Sequence, residues 1–122
     1  MKPALLRPQA RQDQADEILY YRDKAGGRTA EKLLIAMEAA LDQIEQHPRI
    51  GSPRLGQWLG LPEVRTWRVD GFSLMWFYRE RADHLDVLRL LGERQDIEAL
   101  WSEPEPSELH EPEPSYGRTE PR

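Results

Sequence analysis

The 122-residue sequence contains no cysteine, which excludes disulfide bridges and any metal site or nucleophile that depends on a thiolate. It also lacks a long apolar run. Near its N-terminus only Ala4–Leu6 are consecutively apolar, which is too short for a signal peptide or a membrane span. We therefore expect a cytoplasmic protein that does not associate with membranes.

Ligand-forming histidines are equally scarce, because the three present, His47, His84 and His110, lie far apart in the sequence. No metal site and no cofactor are expected. Neither sign of charge predominates over most of the chain. Residues 1–101 contain 15 basic and 16 acidic residues, whereas residues 102–122 contain 2 basic and 6 acidic ones. A nearly neutral domain is not expected to bind nucleic acid directly by bulk attraction.

Residues 102–122 differ in composition from the rest. They include the repeat "EPEPS" twice and few large apolar residues, so the surface they could bury does not offset the entropy cost of ordering them. We predict one folded domain over residues 1–101 and a disordered, polyproline-leaning tail over residues 102–122.

The first half of the domain has helical patterns. A short strand is predicted over residues 3–7 and a helix over residues 8–25, with Pro8 in its first turn and Ala15, Ile18, Leu19 and Arg22 along one side. A second helix is predicted over residues 30–46, with Thr29 as N-cap and an apolar stripe at the helical period. The stripe consists of Leu33, Leu34, Met37, Leu41 and Ile44. "HPRIGSPRLG" (47–56) is predicted to be a loop because proline and glycine interrupt it.

The second half has the period of strands. Strands are predicted over 64–69 and 72–80, joined by the turn "DG" (70–71), and over 85–91. Residues 72–80 are apolar on both faces, which is typical of a central strand. Residues 94–101 are predicted to form a short helix or an extended arm. The order β-α-α-β-β-β predicts an α+β domain with two helices packed on a small, mostly antiparallel sheet.

This order, together with two segments, resembles the RelE/ParE toxins of type II toxin–antitoxin modules, and in particular the ParE branch of plasmid stabilization toxins. The first segment follows the pattern R-x-W-x-V-x-G-F-x-x-x-x-F-Y over residues 65–78. The second follows R-V-L-H-x-x-R-D-I from Arg89, and Arg89, Leu91, Asp96 and Ile97 match it. The family histidine falls at Gly92 and the arginine before Asp96 is Gln95. The resemblance covers residues 3–101.

The resemblance implies a toxin that is neutralised by a cognate, ParD-like antitoxin, which would insert a helix and an extended segment beside the sheet. It implies DNA gyrase as the target, a protein–protein action that needs no catalytic residue. The alternatives are a RelE-like, ribosome-dependent mRNA interferase and an inactive, antitoxin-binding family member. For an interferase, Arg65, Arg68 and Arg89 would be the cations facing phosphate, but no acid–base group follows Leu91 within the domain.

Six residues are candidates for the partner-binding groove: Arg65, Trp67, Arg89, Gln95, Asp96 and Trp101. Arg89 is the most conspicuous, because it interrupts an aliphatic strand. A guanidinium there requires a partner. We expect it either to bind a loop carbonyl or an acid such as Glu93 or Asp96, or to face the antitoxin.

Overall fold

The protein was analysed as a computed structural model that describes residues 1–93 and 97–101. Within these ranges the predicted α+β fold and the order of its main elements are confirmed. The elements are β1 (Ala4–Leu6), α1 (Pro8–Ala25), α2 (Gly27–Gln46), α3 (Arg54–Trp58), β2 (Val64–Arg68), β3 (Leu74–Glu80), β4 (Leu85–Gly92) and α4 (Ile97–Leu100). One short helix, α3, is added to the predicted elements. The short helix that was one of two predictions for residues 94–101 is observed as α4.

The four strands form one sheet in the order β1-β4-β3-β2. β2, β3 and β4 are antiparallel, whereas β1 lies parallel to β4. The predicted two-residue turn between β2 and β3 is wider than expected. The N–H of Val69 donates to the carbonyl of Leu74 and that of Phe72 donates to Val69, so β3 begins two residues later than predicted.

The two long helices cover one face of the sheet, which we call the first face. The apolar stripe predicted for α2 is confirmed. However, α2 begins at Gly27 rather than after Thr29, because Gly26 reverses the chain with a φ of +95° and joins α1 directly to α2. The bounds of α1 were predicted correctly, but of the predicted stripe only Ile18 packs on the core. Ala15, Leu19 and Arg22 are exposed, while Ala10 and Asp13 are buried.

The opposite side of the sheet, the second face, is also covered. Buried apolar side chains from all three antiparallel strands meet there, which confirms that β3 is a central strand. They pack beneath α3, the loop after it, and the segment from α4 to Trp101. The prediction of a loop for residues 47–56 is thus wrong in its last part, since Pro53 precedes the first turn of α3, where its missing N–H costs nothing. The second-face cluster contains Val64, Met75, Phe77, Leu88, Leu91 and Ile97, with Leu55, Leu59, Leu61 and Trp101 packed against it.

Candidate partner-binding site

Arg89 is paired with a carboxylate from the first helix. Its Nε lies 2.8 Å from Oδ2 of Asp13, and its Nη2 lies 3.1 Å from Oδ1. The backbone N–H of Leu90 also donates to Asp13, at 3.0 Å. Asp13 can reach β4 because β1 ends at Leu6, so α1 continues along the exposed edge of β4. The cation inside the aliphatic strand therefore has an internal counter-ion.

Arg89 also binds the C-terminal segment. Its Nη1 donates to the carbonyl of Leu100 at 3.0 Å. The expected acceptor was a loop carbonyl, whereas Leu100 is the last residue of α4. The next residue, Trp101, packs on Phe77 with ring centroids 5.4 Å apart. We call Arg89, Leu100 and Trp101 the C-terminal flank. Arg89 lies on β4 and binds both α1 and α4 at this flank, so its guanidinium stabilises the packing of these three elements.

The two acids considered from the sequence are not observed as partners of Arg89. Glu93 pairs instead with Arg68, at 2.6 Å, and Asp96 lies outside the described residues, as does Gln95. Asp13 was missed because α1 is polar on most sides, so no helical period indicated which of its faces is buried.

Glu17 lies one helical turn after Asp13 and is half-buried. Burial raises its pKa, and the negative charges of Asp13 and Asp16 raise it further. A carboxyl whose pKa is higher in the folded than in the unfolded chain disfavours folding once it is ionised. Above its ordinary pKa of about 4.3, Glu17 therefore reduces stability.

Replacing Glu17 with Gln is expected to raise the Tm at pH 7, because the amide keeps the shape of the side chain and removes its charge. The difference should vanish below about pH 4, where the carboxyl is protonated in both states. Thermal unfolding of both proteins from pH 3.5 to 8 tests this. A Tm difference that does not change with pH would contradict it.

Arg65 binds the loop that crosses the edge of the sheet. Its Nη1 lies 2.8 Å from the carbonyl oxygen of Gly51. The hydroxyl of Tyr78, the neighbour of Arg65 on β3, donates to Pro48 at 2.7 Å and accepts from the N–H of Gly51 at 3.0 Å. Burial raises the pKa of Tyr78, so the phenol stays protonated at neutral pH. Arg65 therefore holds a loop against β2.

Trp67 lies on the same side of β2 as Arg65 and faces α2. Its indole Nε1 donates to Gln43 of α2 at 2.8 Å, and its ring packs against the first core. Next to it, α2 and the turn after β2 enclose a concavity of about 320 Å³. We call this the α2–β2 groove, and it is lined by Lys32, Ile35, Ala36, Ala39, Ala40, Gln43 and Asp70.

The alanines of the α2–β2 groove differ in exposure. Ala39 is exposed, whereas Ala36 is half-buried and Ala40 is buried against the first core. Ile35 lines the groove and has 62% of its surface exposed. Gln43 and Asp70 supply polar groups at its sides. The groove was not predicted, because surface alanines give no signal in a sequence.

Arg68 points to the opposite side of β2 from Arg65, as strand alternation predicts. Its side chain is 67% exposed and paired with Glu93. The three arginines considered as phosphate-facing cations thus diverge. Arg65 faces the edge loop, Arg68 faces the second face, and Arg89 faces α1. The structure places Arg65 and Trp67 on one side of the sheet, and Arg89 and Trp101 at the C-terminal flank.

Both outer strands of the sheet are partly covered by the chain itself. On β2, Thr66 exchanges two backbone hydrogen bonds with Ser52, each 2.9 Å long. On β1, the N–H of Ala4 donates to Glu45 at 2.7 Å. The backbone groups of Thr66 and the N–H of Ala4 are therefore not available to a partner strand.

A second group of charged residues lies where β3 pairs with β4. Asp86 accepts from Nε of Arg7 at 2.9 Å and from Nε of Arg79 at 3.2 Å, and Arg79 also binds Glu63.

The described histidines lie apart from this group. His84 pairs with Asp83 at 2.7 Å in an exposed turn, and His47 is exposed at the end of α2. No group of residues that could hold a metal ion occurs among the residues the structure describes. No helix in the described ranges is both long and apolar enough to cross a membrane.

Two long helices on one face of a four-stranded mixed sheet define a small α+β domain. A solved structure of a chromosomal ParDE toxin–antitoxin system from P. aeruginosa has this fold. It matches with a TM-score of 0.65 and 18% sequence identity, over 75% of this chain and 96% of the other.

The family model for the ParE toxin of the type II toxin–antitoxin system, parDE, matches residues 4–97. The chain therefore belongs to the ParE toxin family, which confirms the resemblance found in the sequence. A comparison with curated protein sequences gave no match.

Proposed function

We propose that the chain is a type II toxin that acts on DNA gyrase without bond-breaking chemistry of its own, is neutralised by a ParD-like antitoxin, and works in the cytoplasm. The family match over residues 4–97 carries the proposal. The geometry of the arginines supports its non-catalytic part. In-line attack on RNA needs several cations around one phosphate, whereas Arg65, Arg68 and Arg89 point to three different places and each has a partner.

Gyrase inhibition is the result expected when the purified chain is added to gyrase and relaxed plasmid. Negative supercoiling should fall and cleaved plasmid should accumulate as the toxin concentration rises, while primer extension on translated mRNA shows no new ends. Pre-incubation with the antitoxin encoded beside the toxin gene should restore supercoiling. Unchanged supercoiling together with codon-phased cuts would overturn the proposal in favour of the RelE-like mRNA interferase. If supercoiling is unchanged and no mRNA is cut, the chain is an inactive, antitoxin-binding member of the family, and the proposal is overturned.

The antitoxin is proposed to bind the α2–β2 groove through an amphipathic helix. The groove is concave, the small side chain of exposed Ala39 leaves room for a partner helix, and Ile35 offers an exposed apolar anchor. The covered sheet edges favour this mode over strand addition. Trp67 and Arg65 would act indirectly, by holding Gln43 and the edge loop in place. The C-terminal flank remains the proposed second contact, with Gln95 and Asp96 next to it in the sequence.

Ala39→Arg is expected to weaken antitoxin binding by about 10- to 100-fold, because a long charged side chain fills the groove where a partner helix would pack. Ala39 is exposed on α2 and arginine is a good helix former, so the fold should persist. Isothermal titration calorimetry measures the change.

Ala15→Arg supplies the matched control, since it makes the same substitution at an exposed position on α1. It should leave antitoxin affinity unchanged. Equal affinities for both variants and the parent protein would place the antitoxin elsewhere.

A further inference from the structure

Trp58 is an exposed aromatic side chain at the flank of the second face. It lies on α3, three residues after Leu55 and one before Leu59, both of which pack on the second-face cluster. The indole is nevertheless 63% exposed. A tryptophan offers a large, rigid contact surface, and this one is left without a packing partner among the described residues that would bury it.

Trp101 borders the same cluster, and its indole N–H has no hydrogen-bond acceptor among the described residues. Its Nε1 is nevertheless buried. Buried indole N–H groups usually have an acceptor. The residues that follow Trp101 directly are serine and glutamate, whose oxygens and backbone carbonyls are acceptors. The indole donor without an acceptor therefore lies directly before the acidic extension, residues 102–122.

The extension has the composition to reach and bind Trp58. It comprises residues 102–122, in which proline alternates with glutamate in "EPEPSELHEPEPS". In a polyproline II conformation its first 14 residues would span about 40 Å, while neighbouring strands are only about 4.8 Å apart. Segments of this kind dock on exposed aromatic rings with a small entropy cost, since they are already extended.

Charge complementarity points the same way. Arg54 opens α3 and is exposed, and its guanidinium has no acidic partner among the described residues. Arg68, on the second face, has one carboxylate partner and is 67% exposed. Every proline between residues 103 and 114 has a glutamate directly beside it in the sequence. In a polyproline II helix, with three residues per turn, a proline that contacts Trp58 would therefore hold a neighbouring carboxylate within reach of these cations.

We propose that residues 102–115 of the same chain lie across the α3 side of the second face, with their prolines against Trp58 and their glutamates towards Arg54. The occupant is thus the chain's own extension. This inference is independent of the target and of the antitoxin. It revises the expectation that the tail is free of the domain.

The absence of cysteine makes a direct test possible. Ser107→Cys in the full chain gives a single site for a nitroxide label, and the four tryptophan indole N–H signals report distance by paramagnetic broadening. The signal of Trp58 should lose most of its intensity, whereas that of Trp67, on the opposite face, should keep it. Reduction of the nitroxide should restore Trp58. Equal loss at Trp58 and Trp67, or none at Trp58, would overturn the proposal.

Two controls separate specific docking from proximity. Replacing Pro104, Pro106, Pro112 and Pro114 with Ser in the labelled chain should abolish the selective broadening of Trp58, because the polyproline face is lost. Selective broadening that survives this change would contradict the proline contact. A second control mixes nitroxide-carrying chains without ¹⁵N with ¹⁵N-enriched chains without nitroxide. The Trp58 signal of the ¹⁵N-enriched chains should not be broadened. Broadening in the mixture would assign the contact to a second copy and overturn the proposal.

Discussion

Asp13→Ala is expected to lower the free energy of unfolding by about 3–5 kcal/mol, the usual cost of removing one partner from a buried ion pair. Arg89 is only 17% exposed, so its guanidinium would lose two bonds and remain largely desolvated. The N–H of Leu90 would lose its acceptor as well. Urea unfolding followed by tryptophan fluorescence measures the loss.

Asp16→Ala is the matched control for this prediction. Asp16 lies on the same helix but is exposed, and its carboxylate accepts only from Gln12, one turn earlier. Its removal should change the stability by less than about 0.5 kcal/mol. The double variant with Asp13→Ala and Arg89→Ala should be less destabilised than the sum of the single changes, since no unpaired charge remains. Strict additivity would show that the pair does not act as a unit.

Gly56→Ala is expected to destabilise the fold by about 2–3 kcal/mol through overpacking. A methyl group at this position would lie 2.2 Å from the carbonyl oxygen of Val64 and 2.6 Å from that of Leu61. Both are backbone atoms, so α3 would have to move away from β2. Because α3 covers part of the second-face cluster, the movement would also expose Phe77 and its neighbours to water.

Thermal or urea unfolding measures this effect, and Gly27→Ala provides the comparison. Gly27 is the first residue of α2 and has no atom within 4 Å of an added methyl group. Alanine there should leave stability unchanged or raise it slightly, by reducing the entropy of the unfolded chain. Similar losses for both variants would show that the contact between α3 and β2 is not the cause.

The sequence predicted those parts of the fold that have a clear period. The stripe of α2 and the two-sided apolar strand β3 follow directly from spacing. The stripe of α1 could not be predicted, because the residue that decides its buried side is Asp13, and its reason for burial lies on β4, 76 positions away. The start of α2 depended on the conformation of Gly26, which local capping preferences do not reveal.

The site was less predictable than the fold. The motif residues Arg65, Trp67 and Arg89 were found because they stand out in type and position, and the structure shows each one holding neighbouring segments together. The α2–β2 groove, in contrast, exists because α2 carries small side chains where it lines the groove. Alanine on an exposed helix is ordinary in a sequence, and its meaning appears only when Trp67 and Asp70 are placed beside it.

The position of β4 in the sheet bears on how the protein is made. β4 lies between β1 and β3 and supplies both the strand that β1 requires and the Arg89 that pairs with α1, yet it is among the last parts to be synthesised. A nascent chain that stops before residue 85 has no partner for its N-terminal strand and leaves Asp13 unmatched. Nascent chains that stop before residue 85 are therefore expected to stay unfolded, so the folded domain forms only after β4 has been synthesised.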